Sequence, residues 1–308
     1  MISVVITTCN RPVQLVKRAV ESVLAQTYRD WELIVVDDSP QTYVQRPFVK
    51  QYVKTLPQDY RITYVECPEN RGANRARNMG LARAAGEYIA YLDDDDEWLP
   101  EKLEKQLQAF QTSDPRTALV YCSNLVVDMQ RGSHRVQARS YPAPLTFEDL
   151  LLENYIGGTS IPLLRTSCVR AVNGFDEQMP SLQDMDLWLR LVAKYPVVCV
   201  AQPLVKYYLY PGEQITNDPV KKLIGVRKLY EKNKIFIQAH PAIDWHRIYR
   251  IAFFEACNRQ LGQALVNWGK TLYLKPVWGI RNLKHLYHIL EGYGASFVDQ
   301  KERFYRQH

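Results

Sequence analysis

Four consecutive carboxylates, Asp93 to Asp96, are the residues of this chain best suited to carry out chemistry. They directly follow residues 88–92, an apolar run with the composition of a buried strand. Four like charges in a row repel one another, and a hard divalent cation that takes oxygen ligands relieves this repulsion. A solvated acidic turn after the strand is the alternative. We favour a metal site, because open α/β sheets bind ligands where their strands end.

The elements that must position these acids are predicted from the hydrophobic pattern. Residues 2–6, 31–36, 61–65 and 88–92 are largely apolar and β-branched, as is typical of buried parallel strands. Helical stretches separate them, so the first strand, helix and strand form a βαβ unit with a right-handed crossover. The chain is therefore predicted to be an α/β protein, with a mostly parallel central sheet flanked by helices.

The second half of the chain is predicted to extend this sheet and then to become helical. Residues 119–129 indicate another strand, and residues 197–200 and 205–209 indicate two last strands. A strong helix begins at Gln183, and a helical extension begins near residue 217. We therefore divide the chain into a catalytic domain, residues 1–215, and a basic helical C-terminal region, residues 216–308.

Composition limits the class of protein. The chain has 308 residues, of which 46% are hydrophobic and 23% charged, as in an ordinary globular protein. Its six cysteines are widely spaced without a CxxC pair, so we expect reduced thiols in a cytoplasmic protein. We find no signal peptide, and no window of about 18–20 apolar residues that would span a membrane.

Polar residues that follow three of the predicted strands are expected to meet at one edge of the sheet. Thr7 to Arg11 follow the first strand, Asp38 follows the second, and the acidic run follows the fourth. This edge is the crevice in which α/β proteins hold nucleotides. Neither GxGxxG nor GxxxxGK[ST] is present, so side chains and a metal would have to hold the nucleotide.

Five segments, taken together, resemble a known family. They are VVITTCNRP, ELIVVDDSP, NRGANRARN, YLDDDDEWLP and QDMDLWLRL, in this order over residues 1 to about 210. The combination resembles the family-2 glycosyltransferases of the GT-A fold that act in bacterial surface-polysaccharide synthesis. The resemblance implies a nucleotide-sugar donor bound by side chains at these positions: Thr7, Cys9, Arg11, Asp38, Arg71, Gly72, Arg77, Asn78, Asp93 and Asp94.

The resemblance also implies a metal site and a catalytic base. Asp95, assisted by Asp93, would bind Mn²⁺ or Mg²⁺, and Asp184 would be the general base. Gln183 stands where the family has a Glu before this Asp. A helix cap is the alternative role for Asp184. The candidates for contact with the donor or acceptor sugar are Trp98, Gly158, Thr159, Gln183, Asp186 and Trp188, although core packing is an alternative for the two tryptophans.

The predicted function is that of an inverting, metal-dependent glycosyltransferase. It would move one sugar from a nucleotide sugar, with a UDP-sugar as the expected donor, to a hydroxyl of a glycan or lipid-linked acceptor. The QxxRW segment of the family's processive polymerases is absent, which favours single addition. A sugar-1-phosphate nucleotidyltransferase is the first alternative, although residues 7–12 lack the Gly-rich basic loop that it would need. A non-catalytic nucleotide-binding relative is the second.

Charge is distributed unevenly along the chain. Residues 1–220 hold 23 Lys and Arg against 27 Asp and Glu, a net charge of −4, whereas residues 221–308 hold 16 against 6, a net charge of +10. Aromatic, basic and apolar residues alternate at helical spacing between residues 265 and 293, which is typical of an interfacial membrane contact. We therefore expect a peripheral contact of this region with the inner membrane face, with a dimer or domain contact as the alternative. Nucleic acid is not expected as a partner.

Overall fold

The computed structural model describes residues 1–57, 61–139, 144–210 and 218–274, together with residues 287 and 290. The chain forms two compact units. The first unit comprises residues 1–150, 154–177 and 184–211, and the second comprises residues 151–153, 178–183 and 212–308.

Strands and helices alternate through the first unit, and helices make up most of the second. The strands are β1 (Ile2–Thr8), β2 (Trp31–Asp37), β3 (Arg61–Glu66), β4 (Tyr88–Asp93), β5 (Glu97–Trp98), β6 (Leu119–Asp128), β7 (Ser133–Gln137), β8 (Leu163–Arg165) and β9 (Val197–Leu209). The helices are α1 (Val13–Leu24), α2 (Arg46–Thr55), α3 (Ala73–Arg83), α4 (Lys102–Gln111), α5 (Phe147–Leu152), α6 (Thr166–Ala171), α7 (Gln183–Val192), α8 (Pro219–Lys232), α9 (Lys234–Ala239), α10 (Pro241–Cys257) and α11 (Leu261–Leu274).

The nine strands found among the described residues belong to one sheet, in the order β3-β2-β1-β4-β8-β6-β9-β5, with β7 paired to β6. Strands β3, β2, β1 and β4 are mutually parallel, and β6 and β9 form a further parallel pair. The pairs that involve β5, β7 or β8 are antiparallel. The predicted α/β class with helices around the sheet is confirmed, and the antiparallel strands make the sheet mixed.

Two details of the strand prediction are corrected by the structure. The segments predicted as two last strands are one strand, β9, in which Cys122 faces Val200 while Ser123 faces Pro203. Ala201 and Gln202 are the extra residues of this irregularity, which precedes a proline that lacks an N–H for the ladder. The two-residue strand β5 was not predicted, because so short a segment shows no periodicity.

A glycine brings helix α3 unusually close to the central strand β1. A Cβ added at Gly80 would come within 2.3 Å of Val5 Cγ1, so a larger residue here would force the helix away from the strand. Val5 is fully buried in the core, where neighbouring side chains leave little room for movement. The close approach fixes the position of Arg77, which lies one helical turn earlier.

The second unit contains helices α8 to α11. Helices α10 and α11 enclose a small core of Tyr249, Ala252, Ala256 and Ala264, against which Trp268 packs. Among the described residues, no helix has the length and apolar character needed to cross a membrane. Most of the amphipathic stretch predicted between residues 265 and 293 lies outside the described residues beyond Leu274; Tyr287 and Leu290 are described, and both are exposed.

Lys102 is a charged residue placed entirely within the core of the first unit. Its Nζ donates to Gln106 Oε1 at 2.8 Å and lies 4.0 Å from the centroid of the Trp98 ring. Burial lowers the pKa of Lys102 from 10.5 to about 8. Since the unfolded chain binds this proton more tightly, the charge destabilises the fold fully below pH 8, and this cost disappears as the pH rises toward 10.5.

We expect Lys102→Met to stabilise the protein relative to the parent more at pH 7 than at pH 10, by about 2–3 kcal/mol. Urea unfolding of both proteins at the two pH values measures this difference. The other titratable groups are the same in both proteins, so their contributions to the free energy of unfolding cancel. Lys194→Met, which removes an exposed lysine, serves as the control and should show no such difference. An effect of Lys102→Met that is equal at both pH values would contradict the prediction.

Candidate active site

Parallel pairing brings three polar strand ends to one edge of the sheet, as predicted. Thr7 of β1 lies in register with Val36 on one side and with Asp93 on the other, and Thr8 is in register with Asp37. The backbone N–H of Asp38 donates to Thr8 O at 2.8 Å, which continues the β1–β2 pairing one residue beyond the strand. This edge is where open α/β sheets hold their ligands.

Asp38 organises the loop between β3 and α3. Its carboxylate accepts the backbone N–H of Arg71 at Oδ1 (3.1 Å) and that of Gly72 at Oδ2 (2.8 Å). Gly72 has φ +93°, a backbone conformation that residues with a Cβ rarely adopt, and it precedes the first turn of α3. The buried Asp38 thus holds the loop against the sheet edge and keeps further lone pairs for a ligand.

Two arginines neutralise the carboxylates of the acidic run. Arg11 donates from Nη2 to Asp95 Oδ2 at 2.8 Å and from Nε to Asp94 Oδ1 at 3.2 Å. Arg77 donates from Nη2 to Asp93 Oδ1 at 2.8 Å. The run therefore faces protein rather than bulk water, and the solvated-turn interpretation does not describe it.

Burial raises the pKa of three carboxyl groups of the acidic run. Asp94 and Asp96 are buried, and burial, reinforced by the neighbouring Asp95 charge, raises the pKa of both carboxyl groups. Asp96 accepts a hydrogen bond from Ser160 Oγ at 2.5 Å. The pKa of the partly exposed Asp95 is also raised, by burial first and by the Asp93 carboxylate second. Mutual repulsion within the run is therefore one physical reason for a cation to bind here.

Arg18 supports the backbone of the run from helix α1. It donates from Nη2 to Asp95 O at 2.5 Å and from Nη1 to the Tyr210 hydroxyl at 2.6 Å. Its guanidinium carbon lies 3.9 Å from the centroid of the Tyr208 ring. Arg18 thus ties the turn after β4 to the end of β9, so that Asp95 is held in place by its main chain.

Asp184 is connected to the acidic run through a loop after α5. Asn154 Nδ2 lies 3.4 Å from Asp184 Oδ2, and Asn154 Oδ1 accepts the Gly157 N–H at 2.9 Å. Farther along the loop, Thr159 Oγ1 donates to Asp93 Oδ2 at 2.7 Å. The partly exposed Asp184 and the acidic run are therefore fastened to opposite ends of one six-residue loop.

Asp186 has a role different from that of its neighbour Asp184. It is buried, and its Oδ2 accepts two hydrogen bonds from Arg190, at 2.9 and 2.7 Å. Arg190 also donates to Val172 O. Asp186, named above as a candidate for sugar contact, is thus a buried ion-pair partner of Arg190 within α7.

The two tryptophans predicted as candidate sugar contacts are core residues. Trp98 is buried, and its Nε1 donates to Ser160 O at 2.8 Å. Trp188 is buried, and its Nε1 donates to Gly157 O at 2.9 Å. Both indoles donate to backbone carbonyl groups of residues 157 and 160 from within the core, so the packing alternative describes them. Of the remaining sugar-contact candidates, Gly158 and Thr159 belong to the 154–160 loop, and Gln183 is the first residue of α7.

The predicted nucleotide-binding residues fall into two groups. Thr7, Cys9, Arg11, Asp38, Gly72, Asp93 and Asp94 lie along the sheet edge described above. Asn78 instead clamps the chain after α6, because its amide bonds Phe175 N, Phe175 O and Glu177 Oε1. Arg77 is buried against Asp93, whereas Arg71 is exposed and pairs with Glu69. Of these two arginines, Arg71 is thus the one with a free path to solvent.

The donor set of the acidic run fits a divalent cation. Asp93 and Asp95 supply hard carboxylate oxygens, both partly exposed. No group of three or more His, Cys, Asp or Glu is placed to hold an ion within the residues that the structure covers. The two carboxylates suit Mg²⁺ or Mn²⁺, since such an ion is commonly held by one or two carboxylates and completed by substrate phosphates and water.

Comparison with known proteins agrees with this geometry. The sequence profile described as "Glycosyl transferase family 2" matches residues 3–163, which is more than half of the chain. The chain belongs to glycosyl transferase family 2. This membership decides against a sugar-1-phosphate nucleotidyltransferase.

Curated relatives of this family-2 glycosyltransferase come from several bacteria. The chain is 34% identical to the putative colanic acid biosynthesis glycosyl transferase WcaA of Escherichia coli K12, over 76% of this chain and 81% of the relative. It is 35% identical to the putative teichuronic acid biosynthesis glycosyltransferase TuaG of Bacillus subtilis 168, over 58% of this chain and 67% of the relative.

Solved structures share the fold. The crystal structure of S. aureus TarS residues 1–349 in complex with UDP-GlcNAc superposes with a TM-score of 0.62 at 14% identity. The superposition covers 99% of this chain and 91% of that chain. The GT-A-like architecture expected of this family-2 glycosyltransferase is therefore confirmed.

Three side chains that support the site were not predicted from the sequence. They are Arg18, Asn154 and Ser160, whose contacts lie between 30 and 192 residues away along the chain. Ser160 accepts the Asp93 N–H and donates to Asp96. For Asn154, the only sequence signal is its place before Gly157-Gly158, which is too common to identify a site.

Proposed function

We propose that this enzyme transfers one sugar from a nucleotide sugar, preferably a UDP-sugar, to a hydroxyl group of a glycan or lipid-linked acceptor in surface-polysaccharide synthesis. The observation that carries the proposal is the contact of one separate carboxylate, Asp184 of α7, with Asn154 of the loop whose Thr159 contacts the acidic run. The family, the two relatives named for polysaccharide biosynthesis and the UDP-GlcNAc complex of TarS support it.

In the proposed reaction, Asp184 is the general base. It accepts the proton of the acceptor hydroxyl while that oxygen forms a bond to the anomeric carbon of the donor sugar. The bond between this carbon and the phosphate oxygen breaks, and the nucleoside diphosphate leaves with the electron pair. A single in-line displacement inverts the anomeric configuration, and NMR of the fresh product tests this stereochemistry.

The acidic run is proposed to serve the leaving group. Asp95, assisted by Asp93, would hold Mn²⁺ or Mg²⁺, which when bound stabilises the negative charge of the departing diphosphate. Arg11 pairs with Asp94 and Asp95, and it becomes available to phosphate oxygens when it is released from them. Thr7, Cys9 and Asp38 are proposed to hold the base and ribose.

A thermal-shift screen tests the proposed donor. With Mn²⁺ present, we expect a UDP-sugar to raise the unfolding temperature by an amount that grows with its concentration, corresponding to about 2.7 kcal/mol at 100 times Kd. EDTA should weaken this effect, because the diphosphate loses its ion. Incubation with an acceptor should then release UDP.

The same measurement with GDP- and dTDP-sugars that carry the same sugar shows which nucleobase the enzyme prefers. A larger shift with either of them would correct the UDP assignment without affecting the reaction class. If no nucleotide sugar stabilised the protein with Mn²⁺, the proposed function would be wrong.

A further inference from the structure

Helix α11 has the reverse of the polarity expected of a surface helix. Its buried residues include Asn267 and Thr271, and Asn267 Nδ2 donates to both carboxylate oxygens of Glu255, at 2.9 and 2.8 Å. Ala264 is the small apolar residue of the same buried stripe. Helix α11 therefore packs on α10 through polar and small side chains together with Trp268, whereas other apolar residues of the helix are exposed.

The opposite face of α11 is apolar and exposed to solvent. Leu265, Val266, Leu272 and Tyr273 have 38%, 55%, 36% and 89% of their surface exposed. Leu265 and Val266 lie seven residues, about two helical turns, before Leu272 and Tyr273. The two pairs therefore lie on the same side of the helix. Between them lies Gly269, where an added Cβ would meet no atom within 4 Å. We call these residues, 265, 266, 269, 272 and 273, the outward face of α11.

The charge of the surrounding sequence indicates what covers this face. Between Glu255 and Glu291 the chain contains five Lys and Arg and no Asp or Glu. A second copy that presented the same face would bring two such basic segments together, which is electrostatically unfavourable. An anionic surface would be attracted instead.

We propose that the outward face of α11 docks on a lipid surface that carries anionic headgroups. Apolar side chains with an aromatic ring enter the boundary between headgroups and acyl chains, while nearby lysines and arginines meet the headgroups. Tyr287 and Leu290, farther along the same basic segment, are also exposed. The inference assigns the membrane contact expected of the C-terminal region to one helix face. It rests on the proposed function only in the link between membrane docking and a lipid-linked acceptor.

Flotation with lipid vesicles tests the proposal on the full chain. Vesicles of phosphatidylcholine with about one third phosphatidylglycerol should bind the protein, with weaker binding to pure phosphatidylcholine and release at high salt. The double variant Val266→Asp/Tyr273→Asp should lower partitioning to the anionic vesicles at least about tenfold, since it removes apolar contact and adds repulsion.

A matched double variant separates the face from its charge. Val220→Asp/Ile235→Asp also places two carboxylates at exposed apolar positions of the same unit, 55% and 92% exposed, but on helices α8 and α9. It should reduce partitioning by less than about threefold. Circular dichroism and the thermal shift with a UDP-sugar should be the same for all three proteins, so that a fault in folding or in the proposed function is recognised separately.

Three results would overturn the inference. The first is that the parent protein binds neither kind of vesicle, although it still binds a nucleotide sugar. The second is that both double variants lose binding equally, which would assign the effect to net charge alone. The third is a concentration-dependent dimer in sedimentation that Val266→Asp/Tyr273→Asp dissociates, which would make a second copy the occupant of the outward face.

Discussion

Asp184→Asn is expected to lower the turnover number by about 10²–10⁴-fold while the affinity for the nucleotide sugar changes little. The amide has nearly the shape of the carboxylate but cannot accept the proton of the acceptor hydroxyl. Asp184 is partly exposed, and its side chain lies beside Asn154. Initial rates at saturating donor, with donor binding measured by calorimetry, separate the two effects.

Two further variants sharpen this test. Asp114→Asn changes an exposed carboxylate of the same unit that pairs with Arg116, and it should leave the rate unchanged. Asn154→Ala removes a side chain that contacts Asp184 and Gly157, and it should cause a smaller loss than Asp184→Asn. A turnover number of Asp184→Asn within about threefold of the parent value would exclude Asp184 as the base.

Asp95→Asn is expected to weaken Mn²⁺ binding and to lower kcat/KM by about 10²–10³-fold. The reason is that the ion stabilises the negative charge of the leaving group in the transition state by several kcal/mol. Arg11→Met should act on the ion in the opposite direction. The Arg11 guanidinium lies 2.8 Å from Asp95 Oδ2 and competes for the oxygen that the ion needs, so its removal should tighten Mn²⁺ binding in the absence of nucleotide. Electron paramagnetic resonance of free Mn²⁺ measures both changes without catalysis.

Asp96→Asn provides the control for these two variants. Asp96 is a buried neighbour whose carboxyl group accepts a hydrogen bond from Ser160, and an amide oxygen can accept the same bond. We expect its Mn²⁺ affinity to remain within about threefold of the parent value. The assignment of the ion to Asp95 would be wrong if Asp95→Asn and Asp96→Asn lowered the Mn²⁺ affinity equally, or if Arg11→Met lowered it.

The fold was largely predictable because its first half is built from repeated local patterns. Strands β1 to β4 are apolar runs that end in polar residues, and parallel pairing brings such ends to one edge. The irregularity of β9 was not predictable, since the pairing partner, β6, decides where the strand continues. The two-residue strand β5 exists only because β9 lies beside it.

The candidate site was predictable in its chemistry but not in its contacts. The acidic run, Asp38 and Asp184 were recognised from residue type and position, because carboxylates at strand and helix ends are visible locally. That Arg11 lies on Asp94 and Asp95, or that Trp98 and Trp188 turn into the core, depends on the packing of distant segments. Local sequence carries no information on which of several arginines reaches a given carboxylate.

The sequence by itself thus determined the class of fold, the family and the carboxylates on which the proposed chemistry depends. Only the tertiary structure decided how these carboxylates are neutralised, which loop links Asp184 to Asp93, and which face of α11 is left exposed. The physical reason is range. Periodicity and strand-end chemistry act between residues close in the chain, whereas ion pairing and burial are settled by residues that meet only after the chain has folded.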